Sequence, residues 1–196
     1  LRQKVRPVGN LIAKPFVAAG ISPNAITLAA IPLSSLAAFA TLQGYFFVAF
    51  WLALPSVLLD FLDGAVARAS GQETDYGNHL EAVVDRYVEA ALLVGLAYYY
   101  PIVATSALGL STLVSYSKAR VGLVIASDNS DWPGVGDRAD RVLLLLVTIL
   151  LLAYGQQFWS FLTILTLTAV AAVGCVQRMQ HSKVLIERAA VNDSGE

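Results

Sequence analysis

Three long runs in this chain carry no Asp, Glu, Lys or Arg: residues 15–59, 90–117 and 142–177. The first and third are long enough for two membrane helices of roughly 20 residues each, and the middle one holds two if each extends into its polar flank, back to about Asn78 and on to about Ala126. Charged residues make up 14% of the sequence and apolar residues 57%, with a mean hydropathy of +0.64. A soluble domain usually has about 25% charged residues, so the expected class is an all-α integral membrane protein. The first run breaks near Thr41 to Tyr45 and the third near Tyr154 to Gln157. As a single helix the 28 residues of the middle run would reach about 42 Å, beyond the ~30 Å hydrocarbon core. Tyr98, Tyr99, Tyr100 and Pro101 mark its break, since proline disrupts a helix interior and tyrosine favours the interface. Six spans follow, at about 23–41, 46–68, 78–99, 102–126, 138–154 and 158–180.

Charge placement supports this count independently. All 13 Lys and Arg residues then fall on one side, and the three opposite loops carry no charge. The positive-inside rule puts both termini on the cytoplasmic side of a multi-pass cell-membrane protein. One domain is expected over 1–196: a surface helix over 1–20, a six-helix bundle over 23–180 and a cytoplasmic tail over 181–196. The first segment is too charged for a signal-peptide core. It reads as an amphipathic helix setting Arg2, Lys4, Arg6 and Lys14 near lipid phosphates. A chain opening at Leu1 rather than Met is expected to have had residues ahead of it. The net charge of −1 gives no case for nucleic acid, and the lone Cys175 excludes an intramolecular disulfide.

Against that apolar background, residues 60–85 hold six acidic residues. Asp60, Asp63, Gly64 and Ala67 gather on one face of a helix, and Glu81 and Asp85, four apart, share a face of the next. A polar connection with Gly71 and Gly77 joins them, so four carboxylates can converge from two helices. Acids inside membrane helices are costly and point to function. At close quarters they repel unless cations lie among them. Oxygen ligands without clustered His or Cys favour Mg²⁺ or Mn²⁺. Spacing alone implies a divalent-metal site at the cytoplasmic membrane surface that handles phosphate.

The run Asp60-x-x-Asp63-Gly64-x-x-Ala67-Arg68, eight residues, then Gly77-x-x-x-Glu81-x-x-x-Asp85 closely resembles the motif of the CDP-alcohol phosphotransferases, membrane enzymes of phospholipid synthesis. Ser22-Pro23-Asn24-Ala25-Ile26-Thr27 is similar to the segment that opens that family's first span. The resemblance implies a two-ion Mg²⁺ (or Mn²⁺) centre on Asp60, Asp63, Glu81 and Asp85. It also implies a CDP-lipid site on Pro23, Asn24, Thr27, Asp60, Gly64, Ala67, Arg68 and Thr74. Asp85 would be the general base, taking the proton of an acceptor hydroxyl that attacks the lipid-linked phosphorus, with CMP leaving. A homodimer is implied too. The family has Asp where this chain has Glu81; the extra methylene moves the carboxylate by about 1.5 Å, which is expected to be tolerated.

Ser115-Tyr116-Ser117-Lys118-Ala119-Arg120 and Gly136-Asp137-Arg138-Ala139-Asp140-Arg141 resemble segments of prokaryotic phosphatidylinositol phosphate and archaetidylinositol phosphate synthases, with Asp137 in place of Glu. That likeness implies inositol phosphate as acceptor, gripped by Lys118, Arg120, Arg138 and Arg178 with Arg141 in support. The donor would be CDP-diacylglycerol or CDP-archaeol. Three alternatives stand beside this reading: another acceptor such as glycerol 3-phosphate, a catalytically silent homologue, and a cation transporter. Single Lys or Arg residues at helix ends are usually topology anchors. His79 and His181 read as interfacial surface residues.

Overall fold

The computed structural model describes residues 12–125, 132 and 136–193. They form seven helices and no strand among the described residues: α1 at 12–18, α2 Pro23–Leu42, α3 Phe46–Ser70, α4 Asp75–Ala97, α5 Pro101–Val124, α6 Arg138–Ala153 and α7 Gln157–Asp193. Five of these, α2 to α6, coincide closely with apolar segments expected from the sequence, and α7 begins with the sixth but runs on past its expected end. Three, Pro23–Leu42, Phe46–Ser70 and Gln157–Ala190, are long and apolar enough to cross a membrane. Of the expected surface helix, Arg2, Lys4 and Arg6 lie outside the described residues, and Lys14 is exposed on α1.

Local chemistry sets the helix ends. The Ser22 side chain caps α2 by accepting from the Ala25 N–H, with Pro23 at the first position, where its missing donor costs nothing. Gly71 ends α3 in the left-handed conformation (φ 66°). The Gly71 and Gln72 N–H groups donate to Arg68 and Ala67 carbonyls, satisfying acceptors the helix leaves open. Thr74 then caps α4, its hydroxyl accepting from Gly77 N–H at 3.0 Å. The connection is therefore only 71–74, and Gly77 of the expected polar connection lies inside α4. At the other end of the chain, α7 runs through most of the expected tail. No proline follows Gln157, and Lys183 pairs with Glu187 one turn later at 3.7 Å.

The chain divides into two compact units, Leu1–Tyr98 and Tyr99–Glu196. In the first, α2 packs along both α3 and α4, which touch each other only slightly. Small residues let α2 and α4 approach closely: a Cβ at Gly95 would meet Ala38 Cα and O at 3.0 Å. Ala13 of α1 packs with Ile26, Ala65 and Val66. In the second unit, α7 packs against α5 and α6. There Ser160 donates to the Thr148 carbonyl, and the Thr148 and Thr163 hydroxyls bond at 3.0 Å. Large apolar side chains such as Leu36, Phe39, Trp51 and Phe61 face outward, an arrangement suited to lipid rather than water.

Candidate active site

The first turn of α2 builds the site. It lies against both carboxylate helices. Thr27 Oγ1 donates to Asp63 Oδ2 on α3 at 2.5 Å, and a Cβ at Gly77 on α4 would come within 3.5 Å of Asn24 Oδ1. A pocket opens where the three helices meet. Pro23, Asn24 and Thr27 line it from α2, and Asp63, Gly64, Ala67 and Arg68 from α3. Gln72, Glu73 and Thr74 close it from the connection, and Gly77, Asn78 and Glu81 from α4.

Asp63 is 3% exposed. Its second carboxylate oxygen accepts from the Gly64 N–H at 2.6 Å. A buried carboxylate needs such donors, because desolvation otherwise penalises its charge. Arg68 folds back over Gly64, where an added Cβ would sit 3.2 Å from its Nη1. Glycine thus leaves room for the guanidinium at the mouth of the pocket, and Arg68 itself is exposed.

Of the four expected metal-binding carboxylates, Asp63 and Glu81 line the pocket. Asp60, one turn before Asp63, and Asp85, one turn after Glu81, are half-buried and do not line it. Among the described residues no three His, Cys, Asp or Glu side chains are grouped to hold a metal ion. Asp60 and Asp63 come from α3 and Glu81 and Asp85 from α4, two helices that both pack against α2, where the Thr27 hydroxyl engages Asp63. The donor types around the pocket still fit a hard divalent cation: Asp63 and Glu81 carboxylates, the Thr27 hydroxyl and the Asn24 amide oxygen.

The basic residues expected to grip an acceptor lie in the second unit. Arg141 is 1% exposed and donates to the Gly136 carbonyl, bracing the turn before α6. Gly136 has φ 74°, and a Cβ there would be 2.8 Å from the Val170 carbonyl. Arg178 is buried, donating to the Val114 carbonyl at 3.3 Å and to Asp137 Oδ1 at 2.9 Å. It therefore ties α7 both to α5 and to the start of α6. Arg138 and Lys118 are half-buried and Arg120 is exposed. The Ser117 and Ser182 hydroxyls bond at 3.2 Å, and Trp132 meets His181 edge-on. Most of the 127–137 loop lies outside the described residues.

The motif does not include Gln72, Glu73 or Asn78, which the fold brings to the pocket. Their position follows from the glycine cap and the Thr74 cap, both readable as Gly71 and a Thr-Asp pair opening a helix.

Residues 20–175 match the model of the CDP-alcohol phosphatidyltransferase family. The archaetidylinositol phosphate synthase of Pyrococcus horikoshii is 30% identical over 155 residues, covering 76% of this chain and 80% of that protein. The phosphatidylinositol phosphate synthase of Mycobacteroides abscessus is 30% identical over 197 residues, covering 92% of this chain and 86% of that protein. Two crystal structures of Mycobacterium tuberculosis phosphatidylinositol phosphate synthase share the fold. The one with CDP-DAG bound has a TM-score of 0.78 at 24% identity, covering 90% of this chain and 94% of that one. The complex with manganese and citrate has a TM-score of 0.75 at 24% identity, covering 89% and 88%. On the shared motif, the extent of the match and the likeness of fold, the chain belongs to the CDP-alcohol phosphatidyltransferase family.

Proposed function

We propose that this chain transfers a phosphatidyl or archaetidyl group from a CDP-linked lipid to a hydroxyl of inositol phosphate, releasing CMP. The observation that carries the donor half is the pocket at the first turn of α2. There a buried Asp63, a glycine under Arg68 and the Thr74 cap line one wall system with Glu81. Asn24 and Arg68 offer donors for the diphosphate, and the missing side chain at Gly64 lets the nucleotide approach the backbone.

Asp60, Asp63, Glu81 and Asp85 would hold two divalent cations, Mg²⁺ or Mn²⁺. Bound there, they would neutralise the diphosphate and the charge on the leaving CMP. Asp85 takes the proton from the acceptor hydroxyl as that oxygen bonds to the lipid-linked phosphorus. The phosphorus–oxygen bond to CMP breaks in the same displacement. Lys118, Arg120, Arg138 and Arg178 bind the acceptor's phosphate, with Arg141 in support. The names of the P. horikoshii and M. abscessus relatives and the buried arginine set of the second unit favour a phosphorylated acceptor.

All six of α2 to α7 span the cell membrane, α1 lies on its surface, and both termini and the site face the cytoplasm. The protein acts as a homodimer. The contained test is CMP release from CDP-diacylglycerol, and from CDP-archaeol, by the purified chain with Mg²⁺. Inositol phosphate, glycerol 3-phosphate, free inositol and no acceptor are compared, with Asp85→Asn as control. Release with inositol phosphate alone, lost in the variant, is the expected result. Release with glycerol 3-phosphate instead would keep the chemistry and overturn the acceptor. No release with any acceptor, in either lipid series and after Glu81→Asp, would favour a silent homologue.

A further inference from the structure

Four charged side chains among the described residues are buried: Asp63, Glu89, Arg141 and Arg178. Three are accounted for above. Glu89 is not. It is 2% exposed and lies in α4, one turn beyond Asp85 and two beyond Glu81. Steps of four keep neighbouring members of this series on adjoining parts of one helical stripe. Glu89 Oε2 pairs with Arg86 Nη1 at 3.4 Å, and Arg86 directly follows Asp85 in the chain.

A carboxylate with so little exposure in an apolar helix is not expected for folding alone, because a well-packed apolar residue would serve as well or better. The same turn of α4 is held to α2 by a further polar contact, Ser35 Oγ to Tyr87 OH at 2.8 Å. Residues 85–89 thus carry the half-buried Asp85, a guanidinium clamped by a buried carboxylate, and a tyrosine fastened to the neighbouring helix. Asp85 is the residue with most need of a fixed orientation. It must meet an acceptor hydroxyl at hydrogen-bond distance, and small displacements of such a group are costly to rate.

We propose that Glu89 is a positioning residue for the phosphatidyl transfer. Through its ion pair with Arg86 it fixes the turn of α4 that presents Asp85. The inference rests on the reading of Asp85 as the base. It assigns Glu89 no contact with substrate.

The test uses the full chain in detergent, with CDP-diacylglycerol, Mg²⁺ and whichever acceptor the wild type uses. Glu89→Gln, which keeps the shape and removes the charge, is expected to lower kcat by on the order of 10²-fold. KM for the CDP-lipid should stay within about twofold, because the pocket wall is untouched. Glu89→Asp should recover part of the rate. Arg86→Gln should lose about as much as Glu89→Gln, and the double variant no more than either, as expected for two residues acting as one unit. Normal kcat in Glu89→Gln would overturn the proposal, as would losses in the two single variants that multiply in the double. If Glu89→Gln does not fold, the decision passes to Arg86→Lys and Glu89→Asp, and wild-type kcat in both then overturns it. Asp85→Asn runs alongside: full activity there sinks the base assignment itself, whereas inactivity there with a normal Glu89→Gln sinks only the positioning role.

Discussion

The Thr27 hydroxyl on α2 donates to the buried Asp63 carboxylate on α3 at 2.5 Å, across 36 residues of sequence. It also reaches the Pro23 carbonyl one turn back at 3.2 Å. The opening turn of the first long helix is thereby fastened to the residue on which the pocket depends. Thr27→Val keeps the shape and removes the donor. A hydrogen bond to a charged group contributes about 1.5–3 kcal/mol, so a measurable fall in thermal stability is expected alongside reduced CMP release. Thr27→Ser should retain both. A Thr27→Val protein with unchanged melting and activity would show that the bond carries no weight.

Gly64 and Arg68 give a different outcome. The Cβ of Gly64→Ala would press on a guanidinium, the mobile end of a long side chain, rather than on backbone. The fold should therefore survive while Arg68 is displaced from the pocket mouth. A raised KM for the CDP-lipid with little change in melting temperature is expected, read from initial rates across lipid concentrations and a parallel unfolding scan.

At Gly95 the neighbour is backbone. Ala38 Cα and O lie 3.0 Å from where a Cβ would sit, and α2 cannot yield without leaving its other contacts. Overpacking of this kind costs about 1–3 kcal/mol. In a chain of this length each kcal/mol lowers the melting temperature by about 2–4 °C. Gly95→Ala should show that loss, and Gly95→Leu a larger one, while Gly109→Ala, with nothing within 4 Å of its added Cβ, serves as the neutral comparison.

Glu81 tests the reach of a carboxylate. It lines the pocket from α4, as Asp63 does from α3. Shortening it in Glu81→Asp should leave activity within about tenfold of wild type, whereas Glu81→Gln should lose most of it, because the charge is what a divalent cation requires. Chelation should abolish CMP release, and Mg²⁺ or Mn²⁺ should restore it. Activity that persists in excess chelator would refute the metal reading.

Much of the helix layout was legible because uncharged length is so direct a signal, and Tyr98 to Pro101 and Gly155 broke the runs where the helices in fact turn. The extension of α7 was harder to read. Charge marks where a membrane ends, not where a helix ends, and residues 181–193 keep good helix formers. The pocket residues on α2 and α3 were recognisable from their motif. Which of the four carboxylates line the pocket was not: spacing along each helix says which residues share a face, but not how two helices are set against a third. Glu89 went unread for a related reason. Nothing in local sequence separates a buried acid from one at an interface.

The connection over 71–74 has a consequence for how such chains can vary in length. Between Arg68 and Gly77, residues 69 and 70 still belong to α3, and 75 and 76 already belong to α4. An added residue at Gln72 or Glu73 would lengthen a turn and leave both helices in phase. The same addition at Ser70 or Tyr76 would enter a helix, and either cap would have to re-form one residue away, or Asp60 and Asp63 or Glu81 and Asp85 would turn by about 100° relative to it. Tolerance of insertion in this eight-residue gap is therefore confined to its middle, so what the rest of the gap preserves is rotational phase rather than distance.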